Sequence, residues 1–154
     1  MTTKAEKVMV LGIDAPIVPR LIRLAREGKL PALGKLLAEG VFAPNCLSPF
    51  PTITPPNWTT IATGAWPGTH GITDFDGYIP GDPLDKTHQN FDARESRGEH
   101  LWTAAERVGK RSILVNYPTS WHANLREGWQ IGGNGLHVND IRLDVPHSIF
   151  NLNN

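Results

Sequence analysis

Pro51-Thr52-Ile53-Thr54-Pro55-Pro56-Asn57-Trp58-Thr59-Thr60-Ile61-Ala62-Thr63-Gly64, running on to Pro67-Gly68-Thr69-His70-Gly71-Ile72, has the grammar of a strand-to-helix corner. Pro51 leads in, and Thr54 stands where an N-cap residue belongs. Prolines follow in the first helical turn, where a missing N–H costs nothing. Gly64 closes the helix, and Pro67-Gly68 forbids its continuation. Such a corner presents a hydroxyl at the positive end of a helix, a place that also favours phosphate. With Pro55 and Pro56 lacking N–H, the first amides expected to serve an anion belong to Asn57 and Trp58. Thr54 reads in two ways: as a helix cap alone, or as a nucleophile, which needs an ion to deprotonate it at neutral pH. Thr59, Thr60 and Thr63 fall deeper in the helix, where hydroxyls bond back to the preceding turn.

Upstream, Val8-Met9-Val10-Leu11-Gly12-Ile13 is a continuous apolar run, expected as a central parallel strand buried on both faces. Asp14 then falls at its carboxyl end, the ligand-binding edge of an open parallel sheet. There it reads either as a cap for the next helix or as a metal ligand. Apolar residues from Val18 to Glu27 recur at helical spacing, with Arg20, Arg23 and Arg26 on the solvated face, and Gly28 ends the helix. Pro31 starts a second helix that reaches Gly40, and Val41 to Leu47 reads as a weak strand.

Downstream, Asp74 and Asp76 read as a solvated turn or a metal-binding pair. Residues 80–98 are polar and aperiodic, an irregular surface excursion. Leu101 to Val108 is a short helix ended by Gly109. Ser112 to Pro118 follows as a second central strand, so the order helix, basic turn, strand forms a parallel crossover unit. Ile131-Gly132-Gly133-Asn134-Gly135 lacks both the lysine of a P-loop and the spacing of a dinucleotide fingerprint, and reads as a plain loop.

The 154 residues suit a single domain, and the net charge of zero gives no sign of nucleic-acid binding. Cys46 is the only cysteine, which excludes an intrachain disulfide and argues against a cysteine-based zinc site. No apolar run reaches the ~20 residues that span a bilayer, and the start does not read as a signal peptide, so a cytoplasmic protein is expected. No two of the 6 histidines have the helical spacing of a zinc site; His137 and Asp140 are close but isolated, and His70 reads as structural. There is no G-x-S-x-G elbow.

Gly12-Ile13-Asp14, the corner from Pro51 to Thr59, Thr63-Gly64, Pro67 to Ile72, Asp74-Phe75 and Asn116-Tyr117-Pro118 together resemble the type I phosphodiesterase/nucleotide pyrophosphatase family. This is a branch of the alkaline phosphatase superfamily, and its bacterial and archaeal predicted phosphohydrolases look most similar. The resemblance covers most of residues 8–140. It implies an α/β fold, an alkaline-phosphatase-like parallel sheet flanked by helices, of which this is the N-terminal part. It implies hydrolysis of a small phosphoester or phosphodiester through a phospho-threonine, with two divalent ions, commonly zinc. By position Asp14 maps to a metal ligand, and Thr54 to the nucleophile that also touches metal.

Two departures follow. Phe75 stands where many of these enzymes place a phosphate-binding asparagine, leaving Asn116 or Asn134 to take that part. The family's downstream aspartate and histidine ligands are not recognisable before Asn154, so the chain is expected to be a fragment of a longer hydrolase, inactive alone and prone to self-association through uncovered apolar faces. The competing reading is a non-catalytic binding or structural domain that keeps the fold without the metals. A sulfatase is disfavoured, because Cys46-Leu47-Ser48-Pro49-Phe50 does not match that family's modified-cysteine setting.

Overall fold

The computed structural model describes residues 6–122, 124–131 and 149–151, in two compact units divided after Leu47. In the first unit the expected pair of helices is present as α1, Val18–Arg26, and α2, Pro31–Glu39. Each carries a proline in its first turn. Arg20, Arg23 and Arg26 are exposed, while Leu21, Ile22 and Leu24 are half-buried and Ala25 is buried, as the helical period requires. Small residues let the pair approach: a Cβ on Gly34 would lie 3.4 Å from the Ala25 carbonyl oxygen.

The strand expected over Val8 to Ile13 is absent. The stretch has no regular structure, and Val8, Met9 and Leu11 are each about four-fifths exposed. An apolar run becomes a buried strand only where neighbouring strands take up its amides, and none does so among the described residues. Asp14 accordingly sits exposed in a bend rather than at a sheet edge. Val41 to Leu47 forms no strand either.

The second unit begins with the corner and α3, Thr54–Thr63. Gly64 ends α3 at φ 66°, donating its N–H to the Thr60 carbonyl at 2.8 Å. That left-handed conformation strains any residue with a Cβ. A short α4, Pro67–His70, follows. The polar stretch thereafter is more ordered than its composition suggests. β1, Asp76–Tyr78, pairs antiparallel with β2, Thr87–Gln89, and a 3₁₀ turn covers Ala93–Glu95. Helix α5, Leu101–Arg107, turns at Gly109 into β3, Ser112–Val115, as the sequence predicts.

β3 pairs in parallel with β4, Gly128–Ile131, which pairs antiparallel with β5, Ile149–Asn151. Only a glycine fits position 128: φ is 141°, and a Cβ would lie 2.2 Å from the Ser112 carbonyl oxygen. β3 stops three residues short of Pro118 and is an edge strand rather than a central one in the described sheet. Leu114 is buried, whereas Ile113 and Val115 are more than three-fifths exposed. The core gathers Ala62 of α3, Trp102 of α5, Leu114 of β3 and Leu125 of the following loop, with Tyr117 against them. α3 thereby packs beside α5, which in turn packs on β3.

Candidate active site

Thr54 is the first residue of α3, half-buried, with Ile53 in the N-cap place. The expected cap assignment is therefore shifted by one: Ile53 is extended, at φ −121° and ψ 167°, and Thr54 already has helical backbone. Asn57 was expected to offer a free amide, but its N–H donates to the Ile53 carbonyl at 3.3 Å and is spent inside the helix. The Asn57 side chain does something the sequence did not suggest. Its Nδ2 donates to the Pro51 carbonyl at 3.0 Å and to the Ile53 carbonyl at 2.8 Å.

The other threonines divide as follows. Thr59 Oγ1 donates to the Pro55 carbonyl at 2.8 Å, and Thr63 Oγ1 to the Thr59 carbonyl at 2.7 Å, both the expected back-bonds. Thr60 instead meets His70 Nε2 at 3.0 Å. The backbone N–H of Ile72 donates to His70 Nδ1 at 3.1 Å, so the imidazole proton is on Nε2 and points at the Thr60 hydroxyl. His70 is fully buried, and that burial holds its pKa below the ordinary value. The Pro56 carbonyl opposes this, and the Arg97 charge adds to it. Both ring nitrogens of His70 are thus engaged within the fold.

From the other side, Tyr117 Oη donates to the Trp58 carbonyl at 2.9 Å. The Tyr117 ring stands edge-on to Trp58 at 5.1 Å and to Trp102 at 5.3 Å. Its burial raises the phenol pKa, so it is a hydrogen-bond donor throughout the physiological range. Trp102 stacks on His100 at 4.6 Å, and its indole N–H donates to Asn124 Oδ1. Asn124 Nδ2 donates to His100 Nδ1 at 3.0 Å. Burial, then the neighbouring His70, push the His100 pKa down to about 4.

This has a measurable consequence. A histidine kept neutral in the fold but free to protonate near 6.5 when unfolded makes the unfolded state bind more protons between those values. Its stabilisation is complete above pH 6.5 and disappears as the pH falls to about 4. His70 acts in the same direction. Urea unfolding of the chain should thus lose on the order of 3 kcal/mol across that interval, and His100→Asn should flatten the slope. A stability that stays level or rises on acidification through the window contradicts this.

Other predicted candidates are placed as follows. Asp74 Oδ1 accepts the Phe75 N–H at 2.7 Å, and Asp76 opens β1, so the pair belongs to a turn and a strand. Asn116 is exposed just beyond β3 with φ 47°. Phe75 lies 5.7 Å from Phe91. Asn134, His137, Asp140 and His147 lie outside the described residues. Asp14 belongs to the first unit and Thr54 to the second. Among the described residues no three His, Cys, Asp or Glu side chains come together as a metal-holding group. A divalent ion needs about four to six ligands, so Asp14 and Thr54 by themselves do not make a site for the two ions expected.

The profile of the type I phosphodiesterase/nucleotide pyrophosphatase family matches residues 8–145. The chain belongs to this family. Human ectonucleotide pyrophosphatase/phosphodiesterase family member 1 is 33% identical over 96 residues, 60% of this chain and 10% of the human protein. An uncharacterised pyrophosphatase/phosphodiesterase of Schizosaccharomyces pombe is 30% identical over 116 residues, 72% of this chain and 23% of that protein. The chain thus spans between about a tenth and a quarter of the curated relatives it matches. No solved structure matches it. The mixed helices and small sheets with a parallel pair agree with part of an alkaline-phosphatase-like α/β fold. The family's chemistry is hydrolysis of phosphodiester and pyrophosphate bonds. Among the described residues no helix is long and apolar enough to cross a membrane.

Proposed function

We propose that this chain supplies the nucleophile-bearing corner of a metal-dependent phosphodiester or pyrophosphate hydrolase, with Thr54 as the nucleophile and Asp14 as one metal ligand. The observation that carries the reading is the place of Thr54 as first residue of α3, in a corner whose sequence falls within the matched family segment. The hydroxyl is fixed at the amino end of a ten-residue helix, where the aligned peptide dipoles favour the negative charge of an attacking oxygen or a phosphoryl group. The adjacent backbone is stiff, because Pro55 and Pro56 fix their own φ. Attack by Thr54 Oγ1 on phosphorus would form the threonine–phosphate bond and expel the alcohol or phosphate leaving group. Water would then release the phosphoryl group and restore the hydroxyl.

A threonine hydroxyl is a poor nucleophile at neutral pH, and the described residues hold no metal group to activate it. In this reading the complete site needs ligands beyond Asp14 and Thr54. The direct test is chemical. A polypeptide joining this segment to the remaining ligands is mixed with an aryl phosphodiester or monoester, quenched in acid, and digested for peptide mapping. A phosphoryl group on the peptide carrying Thr54 is the expected result, still esterified to the retained alcohol when the substrate is the diester. Turnover with the label elsewhere, or turnover unaffected by Thr54→Ala, overturns the assignment.

A further inference from the structure

The corner that carries Thr54 is short of hydrogen-bond donors. Pro51, Pro55 and Pro56 have no N–H, so the carbonyls around them have few backbone partners. Two of these, on Pro51 and Ile53, take both protons of one side-chain amide, that of Asn57, at 3.0 and 2.8 Å. Asn57 sits on the next turn of the helix and is half-buried. Its amide therefore ties the entry of the corner to the body of α3 across Thr52, Ile53 and Thr54.

The remaining freedom of the Thr54 hydroxyl is small. On its carboxyl side, proline fixes the backbone; on its amino side, the Ile53 carbonyl is held by Asn57 twice, from Nδ2 and from the backbone N–H. Within Thr54 the branched Cβ leaves few χ1 rotamers in a helix. Among the restraints on the backbone on either side of Thr54, the amide of Asn57 is a side-chain contact that a substitution can remove. We propose that Asn57 is a positioning residue for the Thr54 hydroxyl: it touches no reacting atom, and holds the corner so that the hydroxyl keeps one direction. The proposal rests on Thr54 being the nucleophile.

A displacement of about 1 Å at a reacting group costs on the order of 10²-fold in rate. In the assembled enzyme Asn57→Ala should therefore lower kcat for an aryl phosphodiester by about 10²-fold, with KM changed by less than about 3-fold. Asn57→Ser can still donate back to the Ile53 carbonyl but does not reach Pro51, so it should recover part of the loss, leaving about 10-fold. Rates are taken well below each variant's unfolding midpoint and corrected for folded fraction. A purely structural asparagine would lower the midpoint and leave kcat per folded molecule unchanged, which overturns the proposal.

A second readout needs no turnover. In this chain by itself, the three-bond couplings of Thr54 report its χ1. They should indicate one rotamer in the parent and averaging in Asn57→Ala. A single rotamer retained in that variant also overturns the proposal. If Thr54→Ala keeps full turnover, the nucleophile reading fails instead, and the couplings still decide whether Asn57 directs the hydroxyl.

Discussion

Thr54→Ser is expected to keep turnover within about 10-fold of the parent enzyme, and Thr54→Ala to lose at least about 10³-fold, when the segment works in an assembled hydrolase. Serine keeps the hydroxyl and loses only the methyl that restricts χ1, so its penalty is one of rotamer freedom. Alanine removes the atom that forms the bond to phosphorus, and the residual rate is then what substrate binding and the surrounding charges supply without a nucleophile. The two variants should fold alike. Thr54 is half-buried at the first position of α3, outside the apolar cluster of Ala62, Trp102, Leu114 and Leu125. Matching unfolding midpoints for Ala and Ser thus assign the difference in rate to chemistry. Equal rates for the two would make Thr54 a structural residue and favour the non-catalytic reading of this segment.

How far the sequence carried the reading depended on where the determining physics lay along the chain. Local rules placed α1, α2, α3 and α5 within a residue or two, because apolar spacing, a leading proline and a closing glycine act over one or two turns. The corner was legible for the same reason. Val8 to Ile13 went wrong because an apolar run states that burial is favourable and not which strand provides it. β4 was missed where Trp129 and Ile131 alternate with Gly128 and Gln130, since only the close approach of Ser112 explains the glycine. Tyr117 and His100 are harder still. Their parts depend on carbonyls and rings up to 59 positions away, as in the Tyr117 bond to Trp58, and no local pattern marks them.

Trp102→Ala should destabilise the chain by about 3–5 kcal/mol, a large share of the roughly 5–15 kcal/mol that holds a domain together. The indole is only 4% exposed and sits where three elements meet. Its removal opens a cavity between His100 and Tyr117, and takes away a stack at 4.6 Å and an edge contact at 5.3 Å. It also leaves Asn124 Oδ1 without its donor, in a network whose other end, His100, is buried and neutral. Trp102→Phe separates these effects. The ring contacts survive in part, the N–H bond is lost, and the cost should fall to about 1–2 kcal/mol. Thermal melts then give a midpoint loss of about 10 °C for Ala and a few degrees for Phe. The consequence reaches the corner, since Tyr117 braces α3 through the Trp58 carbonyl and is itself propped by Trp102. Trp102→Ala should therefore also release the Trp58 end of α3, visible as faster amide exchange along Asn57 to Ala62 than along β4. An Ala variant within about 1 kcal/mol of the parent would mean that the cluster does not hold α3 in place.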